Sequence, residues 1–392
     1  MLRFLTAGES HGPGLVAVVE GLPAGLQVEA KGIARELARR RLGFGRGARM
    51  RIEQDELEIL AGVRHGFTLG SPVAVIIRNT EWPRWRQEMS PNRPASEDVE
   101  PKASPESRRL TKPRPGHADL AGMLKYDTKD ARDVLERASA RETAARTVVG
   151  YLSKQLLETI GVSVVSHVVA IGSVQSGEVD PPKPSDLEAV DASPVRCFDP
   201  VASASMVAAI EEAKAGRDTL GGVVEVLAYG LPPGIGSHVH WDRRLDGLLA
   251  GALMSIHAIK GVEVGDGFTS SGRSGSVAHD EIFYDEAFYR DTNRAGGTEG
   301  GMTTGGPLRV RAAMKPISTV LKGLRTVDVE SKEPVPAFYE RSDTCAVPAA
   351  GVVAEQMVAI VLAQEIQRQF GGDTVDDLVG AVNRYRERLG RY

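Results

Sequence analysis

The sequence of 392 residues predicts an α+β fold with an internal duplication, a β-α-β sandwich in which central helices pack between two antiparallel sheets. Two repeated motifs support this prediction. A Gly-Leu-Pro-x-Gly turn follows a Val-rich strand at residues 21–25 and again at residues 230–234. The pattern Gly-x-Thr-x-Gly-x-Pro begins at Gly66 and at Gly301, and each copy leads into a strand of alternating apolar residues.

The helical patterns repeat in the same order. An amphipathic pattern follows each Gly-Leu-Pro-x-Gly turn, at residues 28–41 and 241–256. A longer helix follows the second motif in each case, around residues 138–158 and 349–367. Because strand, helix, strands and helix occur twice in this order, we expect two halves related by a pseudo-two-fold axis.

We expect one domain over residues 1–392, with halves at about 1–160 and 221–375. Residues 91–112 are rich in Pro, Ser and charge, so we expect a mobile surface loop there, and whether it acts as a lid stays open. Residues 161–220 contain a Val-rich strand, a Pro-rich turn and a charged helix. They are expected to be an insertion of unknown purpose.

Charge and composition exclude several classes of protein. The formal net charge of −4 gives no global positive field, so we expect neither nucleic acid nor an anionic membrane as a partner. The two cysteines, Cys197 and Cys345, and the absence of a secretory pattern at the start favour a cytoplasmic protein. The apolar helix at residues 349–364 is interrupted by Glu355 and Gln356, which favours a core helix over a membrane span.

Two histidines stand in glycine-containing turns. His11 lies in GESHG, at the end of the first predicted strand, and His117 lies in RPGHAD beside Arg114. Histidine exchanges protons readily near neutral pH, although a lone histidine more often has a structural role. No spacing of His, Cys and carboxylates matches a metal site, and no run matches the Gly-x-Ser-x-Gly elbow. We therefore expect neither a metal nor a serine nucleophile.

Arginines and a glycine-rich run indicate anion binding. The run RELARRRLGFGRG could be an ordinary helix end stabilised by the dipole, but arginines recur elsewhere, which favours a small anionic substrate. The run NRAGGTEGGMTTGGP is followed by MKPIST, whose Lys315, Ser318 and Thr319 could help to cradle a phosphate. Part of this glycine content belongs to the repeated turn. Neither a Rossmann fingerprint nor a Walker sequence is present.

Together with RASARETAAR, MSIHAIKGVEVGDGF and RSDTCAVP, these runs resemble the chorismate synthase family, in the family's order from Gly8 to Pro348. The resemblance implies the chorismate synthase fold and the 1,4-anti elimination of phosphate from 5-enolpyruvylshikimate 3-phosphate to give chorismate. It also implies a need for reduced FMN, which in the family's outline lends an electron and recovers it, because no carbonyl activates the C6 hydrogen.

The resemblance also implies roles for individual residues. His11 would donate a proton to the departing phosphate beside Ser10, His117 would manage a proton at the flavin N1 region, and Asp343 would act with flavin N5 in removing the C6 proton. Substrate anions or NADPH would be bound by Arg40, Arg46, Arg114 and Arg141. FMN would be bound by Arg137, Ala138, Ser139, His257, Ala258, Gly300, Lys315, Pro316, Ile317, Ser318, Thr319 and Arg341.

One departure from the family pattern affects this assignment. Many members have Gly-Gly-Gly-Arg-Ser-Ser where this chain has VLERAS, so Ala138 replaces a serine and cannot make a hydroxyl contact. The glycines are also missing, which makes the chain stiffer before the following helix.

Two other functions remain open on the sequence alone. A flavin or NADPH oxidoreductase could use the same anion sites for net redox chemistry. A phosphometabolite-binding or scaffold protein could use the histidines only to hold turns. The family resemblance further implies a homotetramer, whereas the source of reduced flavin, including intrinsic use of NADPH, stays open.

Overall fold

The computed structural model describes residues 1–46, 56–92, 109–177, 179–338 and 342–392. Helices and antiparallel sheets are mixed in one chain, which confirms the α+β prediction.

The elements up to residue 160 occur in this order: β1 (Arg3–Ala7), β2 (Gly14–Glu20), α1 (Ala30–Arg41), β3 (Glu56–Ala61), β4 (Val63–Arg64), β5 (Phe67–Thr68), β6 (Val73–Arg78), α2 (Trp82–Trp85), α3 (Asp119–Tyr126), α4 (Arg132–Leu135) and α5 (Thr143–Glu158). A short 3-10 turn, Ala140–Glu142, leads into α5.

The remaining elements are β7 (Ser163–Ile171), β8 (Val174–Gln175), α6 (Leu187–Ala192), α7 (Pro200–Ala215), β9 (Gly222–Tyr229), α8 (Leu245–Met254), β10 (Ile259–Val264), α9 (Gly267–Ser271), α10 (Gly275–Ala278), β11 (Ile282–Asp285), β12 (Ala287–Arg290), β13 (Thr298–Glu299), β14 (Met302–Thr303), β15 (Leu308–Met314), β16 (Arg325–Val327), β17 (Pro334–Pro336), α11 (Val347–Phe370) and α12 (Val375–Leu389). Two further 3-10 turns are Pro184–Asp186 and Trp241–Arg243.

The two largest sheets among the described residues are both antiparallel. The first has four strands in the order β1-β2-β6-β3, and the second has five in the order β10-β15-β9-β7-β8. Helix α5 packs on the first sheet, α11 packs on the second, and the two helices pack on each other. One apolar core joins these layers, with Val19 and Ile77 from the first sheet and Val224 and Val310 from the second.

The two Gly-Leu-Pro-x-Gly turns end β2 and β9 in the same way. Gly21 has a φ of +88° and Gly230 a φ of +81°, a region that favours glycine. A Cβ at Gly21 would lie 2.5 Å from the Met1 carbonyl oxygen, and one at Gly230 would overlap the Gly161 carbonyl oxygen. Each turn therefore lets the end of one strand approach the start of its neighbour.

Helix α11 is the centre of the core. It is long and apolar enough to cross a membrane by length and composition, yet 94% of its apolar stretch is buried inside the protein. It packs against β7, β9 and α5. The expectation of a core helix in this part of the chain is confirmed.

Glu355 is fully buried in α11 and forms the centre of a charge network. Arg39 of α1 donates to its two carboxylate oxygens at 2.7 and 3.1 Å, and Lys154 of α5 donates at 2.8 Å. Ser166 of β7 adds a hydrogen bond at 2.8 Å. Burial by itself raises the pKa of Glu355, but Arg39 and Lys154 outweigh that effect and hold the pKa well below its ordinary value. The ionised carboxylate therefore ties three elements to α11.

A second layer of charges surrounds this centre. Glu36 accepts hydrogen bonds from Arg39 at 2.7 Å and from Lys154 at 3.1 Å. Asp191 accepts from Arg39 at 2.6 Å and from Arg196 at 2.8 Å. Each carboxylate thus has cationic partners, so the cost of removing these charges from water is offset by attraction and by hydrogen bonds.

Two segments that the sequence predicted to lie outside the repeated pattern of strands and helices are residues 161–220 and 91–112. Residues 161–220 are not an insertion at their start, because β7 pairs along its length with β9 and contributes Val164 and Val168 to the core. Of the predicted loop at 91–112, residues 93–108 lie outside the described residues.

Replacing Glu355 by Gln should lower the free energy of unfolding by about 3–5 kcal/mol, since buried cations would lose their ionised partner. The free energy is measured by urea denaturation followed by circular dichroism. The matched control is Glu387→Gln on α12, where the carboxylate is 66% exposed and faces Arg391 at 3.7 Å. We expect no measurable change there. An equally small effect at both positions would contradict this account of the core.

Candidate active site

A cavity of about 690 Å³ opens between the first and second halves of the chain. Its volume lies in the usual range for small-molecule sites. Part of its lining comes from the turn after β1, the end of α1, the segment before α3 and the segment from α4 to α5. The rest comes from the turn between α8 and β10, the segment after β15 and the start of α11.

His11 is held at the cavity by the turn that follows β1. The Asn79 amide donates to the Ser10 and Gly12 carbonyl oxygens, at 3.1 Å each, and so fixes this turn. His11 Nδ1 lies 2.8 Å from Oε1 of buried Glu136. The imidazole also stacks on the indole of Trp85, with ring centroids 4.0 Å apart. Ring position and orientation are therefore both determined.

His117 belongs to a compact group with Arg114 and Asp119. Its Nδ1 lies 2.5 Å from Asp119 Oδ1, and Arg114 Nε donates to Asp119 Oδ2 at 2.8 Å. Burial by itself raises the pKa of Asp119, but hydrogen bonds from His117 and Arg114 outweigh it and hold the pKa below its ordinary value. Arg114 also donates to Thr319 Oγ1 at 3.1 Å, which joins this turn to the segment after β15.

Asp343 and Arg46 face each other at the cavity. Arg46 Nη1 lies 2.9 Å from Asp343 Oδ2, and both side chains are mostly buried. The Thr344 amide donates to the Gly45 carbonyl oxygen at 2.9 Å, so the backbone holds the same two segments together. Arg40, from the last turn of α1, borders the cavity and donates to Thr143 Oγ1 at 3.4 Å.

Much of the wall is apolar or made of small residues. Such walls exclude water and strengthen the electrostatic interactions of the charged groups among them. The apolar lining residues include Leu135, Ile256, Met314, Ile317, Ala346, Ala349, Ala350 and Val353.

Most predicted site residues border this one cavity. They are Ser10, His11, Arg40, Arg46, Arg114, His117, Ala138, Ser139, Arg141, His257, Ala258, Lys315, Pro316, Ile317, Ser318, Thr319 and Asp343. The structure therefore brings the three predicted catalytic residues to a common space. Their chemical roles stay predictions.

Two predicted residues lie away from the main cavity, and a third is outside the described residues. Arg137 borders a smaller neighbouring cavity of about 290 Å³, which shares His257 with the main one, and it donates to the Thr6 carbonyl oxygen at 2.8 Å. Gly300 lies in the turn between β13 and β14 and does not border the main cavity. Arg341 lies outside the described residues.

Sequence reasoning missed three residues that act on the histidines. Asp119 lies two positions after His117, so the RPGHAD run contained a signal for it. Glu136 and Trp85 are remote from His11 in the chain, and nothing local connects them to it. Their proximity to His11 results from the tertiary fold.

The lining fits a flat anionic cofactor of the flavin type. His257 Nδ1 is buried and has no hydrogen-bond partner among the described residues, so it is available for a hydrogen bond with a bound ligand. Burial lowers the pKa of His257, which favours the neutral ring. Lys315 contacts the Gly116 carbonyl oxygen and places a cation on the same wall. The neutral imidazole of His257 and the apolar walls suit the flavin ring of FMN, and the cation of Lys315 suits its phosphate.

Comparison with known proteins gives a consistent result. The family model described as chorismate synthase matches residues 2–367. The chorismate synthase of Thermobifida fusca (strain YX) is 59% identical over 392 residues, covering 99% of each chain. That of Salinispora tropica is 61% identical over 377 residues, covering 96% of each. A crystal structure of a chorismate synthase, 40% identical, matches 100% of this chain and 99% of its own with a TM-score of 0.78.

Replacing Asp119 by Asn should reduce stability by about 3 kcal/mol at pH 7, because Arg114 would remain buried without a carboxylate. The folded pKa lies below the ordinary value of 3.8, so the stabilisation is complete above that value and is lost as the pH falls through the folded pKa. The difference in unfolding free energy between the two proteins should therefore be constant from pH 8 to pH 5 and shrink below about pH 4.

Urea denaturation at each pH measures this difference, with Asp242→Asn as the control, since that carboxylate is 54% exposed. A difference that widens on acidification would contradict the assignment.

Proposed function

Because this chain belongs to the chorismate synthase family, we propose that the 690 Å³ cavity is its active site, with His11, His117 and Asp343 as the proton-handling residues. The enzyme is a lyase that eliminates phosphate from 5-enolpyruvylshikimate 3-phosphate to give chorismate in the shikimate pathway. The observation that carries the proposal is the common cavity shared by these three residues and a set of cations.

The cations suit this substrate. It bears a phosphate and two carboxylates, and each charge-assisted hydrogen bond contributes on the order of 1.5–3 kcal/mol. Walls without bulk water make such contacts stronger than they are in solution. The cationic side chains that border the cavity are Arg40, Arg46, Arg114, Arg141 and Lys315.

His11 donates a proton to the phosphate as it leaves. An anionic phosphate beside an imidazole stabilises the protonated ring. The protonated ring is the form that can give a proton to the leaving group. Ser10 and Ser139, with hydroxyl oxygens 3.2 Å apart, lie beside His11 at the same wall.

Asp343 takes part in removing the C6 proton. Its contact with Arg46 at 2.9 Å holds the carboxylate at the cavity, where it can accept a proton. His117 is oriented by Asp119, so it can hold or release a proton at a fixed position at the cavity.

Reduced FMN, when bound, supplies an electron to the elimination and recovers it, so no net redox change results. We propose that His257, Ala258 and residues 315–319 hold it, together with Ala138 and Ser139. The backbone at Ala138 can contribute even though its side chain has no hydroxyl. We further propose that external reduced flavin feeds the enzyme, with use of NADPH as the alternative that the assay below separates.

We also propose an internal duplication. It is supported by strand order, since β1-β2-β6-β3 corresponds to β7-β9-β15-β10, and by the two matching glycine turns. A cytoplasmic homotetramer is our further expectation. Exposed apolar side chains on the hairpin of β11 and β12, such as Ile282, Tyr284 and Phe288, are consistent with self-association.

The testing experiment is an anaerobic assay of phosphate and chorismate with photoreduced FMN, and then with oxidised FMN plus NADPH. The elimination predicts catalytic reuse of reduced FMN. A net oxidoreductase would consume cofactor in proportion to product, and a binding or scaffold protein would release no phosphate.

In the same assay, His11→Ala should keep its fold and FMN binding but lose about 10²–10⁴-fold in turnover, because the leaving phosphate would lack its proton donor. Circular dichroism and flavin titration check folding and binding. His240→Ala is the control, since that side chain is 58% exposed and lies outside the cavity. Full activity of His11→Ala would remove His11 from the mechanism.

Asp343→Asn should bind substrate but turn over at least about 10²-fold more slowly, because the amide cannot accept the proton. Arg46 would remain available for the anionic substrate, so the KM should change little. Steady-state kinetics with excess photoreduced FMN measure both constants. Unchanged kinetics would reject the assignment of Asp343.

A further inference from the structure

Glu136 makes three contacts with the two-residue segment that carries His11. Its Oε2 accepts the backbone N–H of His11 at 2.8 Å, and its Oε1 lies 2.8 Å from His11 Nδ1. Its backbone carbonyl oxygen accepts the N–H of Ser10 at 2.9 Å. The Glu136 side chain is only 2% exposed. One buried residue thus determines both where His11 lies and how its ring is turned.

The pairing also determines which ring nitrogen carries the proton. An ionised carboxylate can only accept hydrogen bonds, so Nδ1 of His11 donates to Glu136. Because the proton on Nδ1 is held in the hydrogen bond to Glu136, a proton that His11 gives to a ligand comes from Nε2. In general, a carboxylate beside an imidazole stabilises positive charge on the ring.

Other groups around His11 adjust this effect. Arg132 Nη1 lies 3.5 Å from Glu136 Oε1 and partly offsets its charge. Trp85 of α2 stacks on the imidazole with an angle of 29° between the rings, and Arg132 lies 5.0 Å from the indole centroid. The charged and titratable groups on the cavity side are Arg40, Arg46, Arg114, His117, Arg141, Lys315 and Asp343.

We propose that Glu136 is the positioning residue of His11, fixing the imidazole with a proton on Nδ1 and stabilising the imidazolium that protonates the departing phosphate. This inference rests on the proposed role of His11. The carbon–oxygen bond to the phosphate breaks with its electron pair on oxygen, the Nε2–H bond of His11 breaks, and an O–H bond forms on the phosphate. The ring remains neutral with its proton on Nδ1, and solvent restores the second proton.

The alternative is that Glu136 only supports the turn through the backbone N–H of His11. Glu136→Gln separates the two roles. Its amide oxygen can still accept the backbone N–H of His11, whereas the NH2 group that replaces the second oxygen can only donate, and the negative charge is lost. A purely structural role predicts normal protonation of His11 in this variant. The positioning role predicts an imidazolium that loses its proton at lower pH.

The first measurement follows His11 protonation without cofactor or substrate. In full-length protein carrying Trp82→Phe and Trp241→Phe, Trp85 is the one remaining tryptophan, and a stacked imidazolium quenches its fluorescence. Glu136→Gln should lower the midpoint of the fluorescence titration by about one pH unit or more. Adding His11→Ala should abolish the titration. A midpoint that Glu136→Gln leaves unchanged overturns the proposal.

A second variant tests the sign of the effect. Arg132→Gln removes the cation that offsets Glu136, so the midpoint should move to higher pH. A structural role of this helix predicts no such opposite shift. This variant also keeps the test decisive if Glu136→Gln folds poorly, and a shift to lower pH in Arg132→Gln counts against the proposal.

The second measurement is the pH profile of turnover with photoreduced FMN. Glu136→Gln should lower kcat at least about 10-fold with little change in KM, and the alkaline limb should move to lower pH by about one unit. The double variant with His11→Ala should be no slower than His11→Ala alone. The control is Asp280→Asn, a buried carboxylate that accepts backbone N–H groups of Arg294 and Ala295 away from the cavity. It should keep the wild-type profile.

The outcomes separate this inference from the proposed function. If His11→Ala is inactive while Glu136→Gln matches the wild type in both midpoint and kcat, the role of His11 stands and the positioning role of Glu136 is wrong. If His11→Ala is fully active, the proposed role of His11 fails and this inference fails with it.

Discussion

The charges buried around Glu355 are the constraint on which the arrangement of the site depends. Arg39 donates hydrogen bonds to this carboxylate, and the next residue, Arg40, borders the cavity. The buried charges therefore fix the position of the last turn of α1. The same helix that carries Glu355 begins with the small residues that line the cavity. A shift of α1 along α11 would separate buried charges at a cost of several kcal/mol, and this resists any sliding of the cavity walls.

A second regularity concerns the three groups proposed to handle protons. Each is paired with an ionisable side chain that can carry the opposite charge: His11 with Glu136, His117 with Asp119 and Asp343 with Arg46. Such pairs hold side chains in one orientation before substrate arrives, so little reorganisation is needed during the reaction. They also compensate charge locally, which leaves the surplus of arginine and lysine in the cavity to be balanced by an anionic substrate.

The sequence predicted the parts of the fold and site that depend on short runs of residues. Glycine turns such as Gly21 and Gly230 and the core helix could be read locally, and most motif residues do border one cavity. Strand pairing could not be read in this way, so β7 was taken as the start of an insertion although it pairs with β9. The contact between His11 and Glu136 spans 125 positions, and only the folded chain creates it.

The VLERAS run shows how a departure from a family pattern can carry chemistry of its own. Three glycines would give the backbone before α5 more freedom but would offer no side chain to the turn at His11. In this chain a short helix, α4, stands there instead, and Glu136 directly after it places its carboxylate 2.8 Å from the imidazole Nδ1. Glycine has no group that can accept from Nδ1. A chain with glycine at this position must therefore orient the histidine through some other residue, whereas in this chain Glu136 does so.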